Sequence, residues 1–186
     1  TVMTGIIITV VVVLLIVVWV IGVQRNLVSS DELCSNAMSQ IGVQQESRWD
    51  AVTNLVEMIK GYNEHEYKTL KDIIAQRADI KGNSSAADVE AQEGHLAQLA
   101  SQLKVVVERY PDLKANETFL KGMDSINMYE NQVRTSRMVY NDTVTKYNRI
   151  VRSFPNSIVA SIFHFSVKDY LKDPGQKAQA PVVSFK

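Results

Sequence analysis

The sequence predicts an all-α protein: an N-terminal transmembrane helix, then an antiparallel four-helix bundle, then a short C-terminal apolar segment. Three observations predict it. Ile6 to Val23 is a run of eighteen residues without a charge. No strand-like alternation of any length occurs between residues 26 and 153, and the first proline is Pro111. Apolar residues in that stretch recur at helical spacing, as they do on helices that bury one stripe against partners. The expected divisions are an anchor over 1–25, a helical bundle over 26–154, and an apolar segment with a tail over 155–186.

The anchor comes first. At ~1.5 Å per residue the run covers about 27 Å, close to the ~30 Å hydrocarbon thickness of a bilayer. Trp19 sits near one end, where an indole suits the interface, and Arg25 follows. The run exceeds the apolar core of a cleaved signal, and no A-x-A-like site follows it. Arg25 is the one basic residue close to that flank, with Asp31 and Glu32 after it, so the sequence leaves the side of the membrane open.

The bundle is read next. Continuation of the anchor helix to about Arg48 is marked by Leu27, Cys34, Ala37, Met38 and Ile41. A second helix is expected from about Ala51 to Lys81, capped by Asp50 or Thr53, with a bend allowed at Gly61. Gly82-Asn-Ser-Ser85 reads as a turn. The third helix covers about Ala86 to Tyr110, where Val89, Leu96, Leu103 and Tyr110 fall seven apart, with Leu99 and Val106 on the alternate step. Pro111 opens a short connection through Asn116. The fourth helix is expected from about Gly122 to Ser153. Its seam is Ile126, Val133, Tyr140, Tyr147 and Phe154, again seven apart, joined by Val144 and Val151.

Pro155 disfavours helical geometry at Phe154, so the fourth helix stops there. In an up-down-up-down bundle the next segment returns to the membrane end. Ile158, Val159, Ile162, Phe163 and Phe165 form the apolar face of a short helix beginning at Asn156 or Ser157. Burying each such side chain is worth ~1.5–3 kcal/mol, so the face needs a cover. Three covers are open: the chain's own bundle, the lipid bilayer, or another subunit. Arg149 and Arg152, just before, complement a helix C-terminus and suit lipid phosphates.

Charge and cysteine narrow the function. Lys and Arg total twenty, as do Asp and Glu, so the chain as a whole does not read as a nucleic-acid binder. Up to Val133 there are eleven basic against seventeen acidic residues, and from Arg134 onward nine against three. The basic end is therefore the end expected at the membrane. Cys34 is the single cysteine, which excludes an intramolecular disulfide and a multi-cysteine zinc site.

Catalytic and metal motifs are sought without success. His65, in Glu64-His65-Glu66, lacks the second histidine that a zinc-protease helix places four residues on; Thr69 stands there. No G-x-S-x-G, P-loop, G-x-G-x-x-G or Glu-x-x-His pattern is present, so neither catalysis nor a cofactor is expected. Tyr140-Asn141 and Tyr147-Asn148 are two phenol–amide pairs on one seam. They suit a polar network or a small ligand, or more simply rings packed in the bundle with each hydroxyl on a neighbour.

The stretch Ser39 to Glu66, containing "NLVEMIKGYNEHE", resembles the LemA family, whose core is NLVE-x-VKGY-x-x-HE. "YPDLKAN" at Tyr110–Asn116, the Tyr140-Asn141 and Tyr147-Asn148 pairs, Phe154-Pro155 and Ala160 extend the resemblance over essentially the whole chain. Departures are Ser47, Arg48 and Trp49 where the family has two basic residues and a tyrosine, Thr53 where it has proline, and the segment 122–130. The resemblance implies one membrane anchor and a helical bundle, in a bacterial cell (inner) membrane. Its gene neighbourhoods imply envelope quality control. The expected function is a self-assembling scaffold of the bacterial envelope, a homo-oligomer without enzymatic activity. An adaptor for a membrane protease and a ligand-sensing bundle are the alternatives.

Overall fold

The computed structural model describes residues 2–172; Thr1 and the tail 173–186 lie outside the described residues. Among the described residues every regular element is a helix, and there is no strand. Helix α1 runs from Val2 to Ile59 as one uninterrupted rod of 58 residues. The expected break between Arg48 and Ala51 is absent. Gln45, Arg48, Trp49, Val52, Leu55, Val56 and Ile59 are buried on one stripe at steps of three and four, and neither proline nor glycine lies among them to stop the helix. Asp50 and Thr53 are therefore inside a helix and cap nothing. Asp50 pairs with Arg77 at 2.7 Å, and the Thr53 hydroxyl donates to the Trp49 carbonyl at 2.8 Å.

The chain turns after Ile59, around Gly61. Asn63 caps α2 (Glu64–Ile74), its side-chain oxygen accepting from the backbone N–H of His65 and of Glu66. The expected second long helix is thus a short one, closed by a turn at residues 75–76 and followed by non-helical chain to residue 85 with a second turn at residues 82–83. Tertiary contacts hold that descent open. Gln92 accepts from the Ala78 N–H at 3.0 Å and donates to the Gln76 carbonyl. Gly42 lets the chain lie directly on α1, since a Cβ there would stand 2.0 Å from the Ile80 carbonyl oxygen. Helix α3 (Ala86–Arg109) begins with a reciprocal cap between Ser85 and Asp88. The Ser85 N–H holds the Asp88 carboxyl below its ordinary pKa.

Pro111 starts the single turn α4 (Pro111–Lys114), where a missing N–H costs nothing. Asn116 then caps α5 (Glu117–Arg152), which begins five residues before the expected Gly122. Ser153 is extended, and the short α6 (Asn156–Ile162) follows. The chain turns through Phe163 and His164, and from Ser166 to Lys172 it is a strap outside any helix or strand.

Two apolar clusters fill the interior. One joins Trp49, Val52, Leu55, Val56 and Ile59 of α1 to Leu70, Ile73, Leu96, Leu99, Leu103, Val106, Leu113, Phe119 and Ile126. The other joins Val23, Leu27, Cys34, Met38 and Ile41 to Val89, Tyr140, Val144, Tyr147, Val151, Val159 and Leu171. The second stands beside the apolar N-terminal run; the first is distal to it. Buried polar residues (Gln45, Arg48, Gln92 and Arg137) separate them. Arg48 pairs with Glu93 at 3.1 Å and with Glu130 at 3.5 Å, while Gln45 donates to Glu93 at 2.8 Å.

Candidate functional site: the proximal end

Two features meet at the proximal end, an uncovered apolar face and a clasp. The face begins where α5 stops. Ile126, Val133, Tyr140 and Tyr147 lie buried at seven-residue steps, but Phe154 leaves that series and is 82% exposed. The correction has a simple cause: Ser153 is already extended, so helical phase no longer carries Phe154 to the seam. In α6, Val159 is fully buried in the cluster that also holds Val23 and Leu27 of α1, and Ala160 beside it is also enclosed. Phe165 packs partly against the same cluster.

Ile158, Ile162 and Phe163, by contrast, are 51%, 62% and 46% exposed. The own-bundle cover thus accounts for Val159 and Phe165 and leaves four large apolar side chains open. Arg149 and Arg152 are exposed in the last turn of α5. Because α6 packs on α1 and joins the cluster that begins at Val23, this face stands toward the end of the apolar run, whose side chains from Ile6 to Val18 are themselves exposed.

The clasp holds the strap against α5. Asn148 donates its amide N–H to the Lys168 carbonyl at 2.9 Å and accepts the Lys168 N–H at 2.8 Å. Asn141 does the same to Leu171, both distances being 2.9 Å. Tyr147 donates to the Ser166 carbonyl at 2.9 Å, and Tyr140 reaches the Asp169 carbonyl at 3.4 Å. Burial pushes the Tyr147 phenol up to about 12, helped by the charge of Asp31. Burial likewise raises Tyr140. Both hydroxyls are therefore protonated donors at neutral pH.

Beyond Leu171, Glu90 accepts the Lys172 N–H at 2.9 Å, and Arg137 bridges Glu90 and the Lys172 carbonyl. Lys168 spans back to Asp31 of α1 at 2.8 Å and lies over the Tyr147 ring. Cys34 is buried beneath this, its thiol raised by burial, and so is held as the unreactive protonated form.

Of the earlier candidates, then, the structure gathers Arg149, Arg152, Phe154, Ile158, Ile162 and Phe163 at one end and seats Tyr140 and Tyr147 on the strap. Asn141, Asn148, Arg137 and Glu90 are the residues that sequence reasoning did not assign to the clasp. The seven-residue repeat of the Tyr-Asn pair is the visible signal for the two asparagines; Arg137 and Glu90 carry none. Among the described residues no three His, Cys, Asp or Glu side chains come together as metal ligands would.

Fold and site together define a class: an all-helical protein with one N-terminal helix long and apolar enough to cross a membrane, and a helical domain closed by its own C-terminal segment. The chain belongs to the LemA family, whose profile matches residues 37–185. It is similar to Protein LemA of Metamycoplasma hominis, 24% identical over 144 residues that cover 75% of this chain and 64% of that protein. The chain therefore spans somewhat less than two thirds of that relative's length.

Proposed function

We propose that this chain is a single-pass membrane protein of a bacterial envelope whose helical domain stands on the bilayer as a structural scaffold and associates with copies of itself. The observation that carries the reading is the uncovered face of Phe154, Ile158, Ile162 and Phe163 beside the end of the apolar run. Four such side chains in water are costly, and a bilayer interface at that level covers them without any further partner. Arg25, Arg149 and Arg152 then face the phosphate layer. An anchored rod needs little extra ordering to pack laterally, which favours self-association.

The test is a depth measurement. Single cysteines at Phe154 and Ile162, in a Cys34→Ala background, carry an environment-sensitive dye in nanodiscs containing spin-labelled lipid. Blue-shifted emission and quenching by labels near the headgroups are expected. Emission like that of an exposed dye at Glu108, with no quenching, overturns the bilayer cover. Self-association is read separately by mass measurement of the detergent-solubilised protein; a strict monomer at high concentration overturns it.

A further inference from the structure

The clasp has an internal repeat. The pair Tyr147-Asn148 takes the Ser166 carbonyl and both main-chain groups of Lys168. The pair Tyr140-Asn141 takes the Asp169 carbonyl and both main-chain groups of Leu171. Each step is seven residues along α5 and three along the strap. The match is geometric: seven helical residues rise about 10.5 Å, and three extended residues advance about 10 Å. All these bonds go to main-chain atoms, so the face reads an extended backbone rather than a side-chain sequence, as edge-strand recognition does. Side-chain contacts add to this at Leu171, which is buried, at Phe165, which is partly so, and at Lys168, which pairs with Asp31 and lies over the Tyr147 ring; Val167 and Tyr170 are exposed.

The hinge that feeds the strap into this face is strained. His164 has a φ of 59°, a conformation that L side chains rarely adopt. It lies two residues beyond α6, and the Phe165 N–H then returns to the Ala160 carbonyl at 2.8 Å. The chain thus doubles back through one unfavourable residue to reach its own groove. A strap arriving from a neighbour would make every one of the clasp bonds without that residue being forced into shape.

We propose that the repeated Tyr-Asn steps of α5 are a binding site for extended main chain, and that its ligand, besides the chain's own residues 166–172, is the same segment of a neighbouring copy. The proposal rests on the self-association reading and supplies its contact. The exchanged element is identical, so whatever fits within one copy fits between two. Confinement to one membrane raises the effective concentration of neighbouring straps.

The test uses the full chain in membranes, in a Cys34→Ala background. Thr145 and Tyr170 meet across the clasp, hydroxyl to hydroxyl, at 3.2 Å. Differently tagged copies carrying T145C and Y170C respectively are co-expressed and treated with a short bismaleimide. A tagged heterodimer is expected, and it should fall about tenfold when the T145C copy also carries N141A and N148A. His164→Pro, which forbids the positive φ, should raise the heterodimer severalfold, and His164→Gly, which accepts that φ freely, should lower it. T145C and Y170C within one chain link internally and report that the groove is folded.

Internal linkage without any heterodimer overturns the proposal, as does a heterodimer indifferent to N141A and N148A. If mass measurement still shows an oligomer, strap exchange alone has failed. If it shows a monomer, the self-association reading has failed with it.

Discussion

The distal and proximal halves of the domain are closed by different physics. In the distal half, α1, α2, α3, α4 and the start of α5 enclose Trp49, Leu99, Leu113 and Phe119 in an interior of apolar side chains, with ion pairs such as Glu57–Lys71 and Glu66–Arg109 around its outside. In the proximal half, α1 and α5 meet over Cys34, Met38, Val144 and Tyr147, and a non-helical strap seals the cluster through amide, phenol and guanidinium groups bound to its main chain. Apolar packing is non-directional and tolerates small displacement, whereas the strap bonds are made in register or not at all. The distal half is therefore the source of stability, and the proximal half the place where one segment can leave or be replaced.

That contrast can be broken at its strong end first. Trp49→Ala removes the largest fully buried side chain of the distal cluster and should destabilise the whole domain by about 3–5 kcal/mol. Chemical denaturation of the domain measures it. A loss confined to the distal half, with proximal helix content intact, would show that the halves unfold separately.

Next in size are Asn148→Ala and Asn141→Ala. Each deletes a donor and an acceptor and leaves main-chain groups of the strap unpaired, for about 1–3 kcal/mol. Hydrogen exchange should speed up at the amides of Lys168 and Leu171, while those of α3 stay protected. Equal loss in both halves would erase the distinction drawn above.

The smallest effect sharpens it by pH. The folded Tyr147 phenol lies near 12, above its ordinary value of 10.0, so its contribution is complete below about pH 10 and is lost as pH rises through about 12. Tyr140 is raised as well, so absorbance titration should show more than one late-ionising tyrosine, of which Tyr147→Phe removes one, at a stability cost of about 1 kcal/mol for the lost bond to Ser166. A variant whose titration is unchanged would mean that the phenol is not enclosed by the strap.

Elements that bury a continuous apolar stripe were legible because local spacing and tertiary burial agree in them. The third helix matches within a residue, and the seam of α5 holds from Ile126 to Tyr147. Boundaries failed where a distant group decided them. A boundary was expected between Arg48 and Ala51 because Asp50 and Thr53 are capping residue types, yet Trp49 is buried there and Glu93 and Glu130 satisfy Arg48 inside. Residues 77–81 looked helical because Gln92 and the gap at Gly42, which hold them out of a helix, are remote in sequence. Phe154 looked like the seam because the period of seven was carried one step past the last helical residue.

By itself the sequence determined the helical class, the apolar N-terminal run, the positions of the α3 and α5 stripes, and the LemA membership, all of which rest on local composition, periodicity and motif order. The tertiary structure alone decided which of the greasy tail residues are covered, and what the Tyr-Asn pairs hold. The reason is that both depend on main-chain atoms. A carbonyl of Lys168 or Leu171 is the same in every residue, so a face built to grip backbone leaves no mark on the segment that it grips.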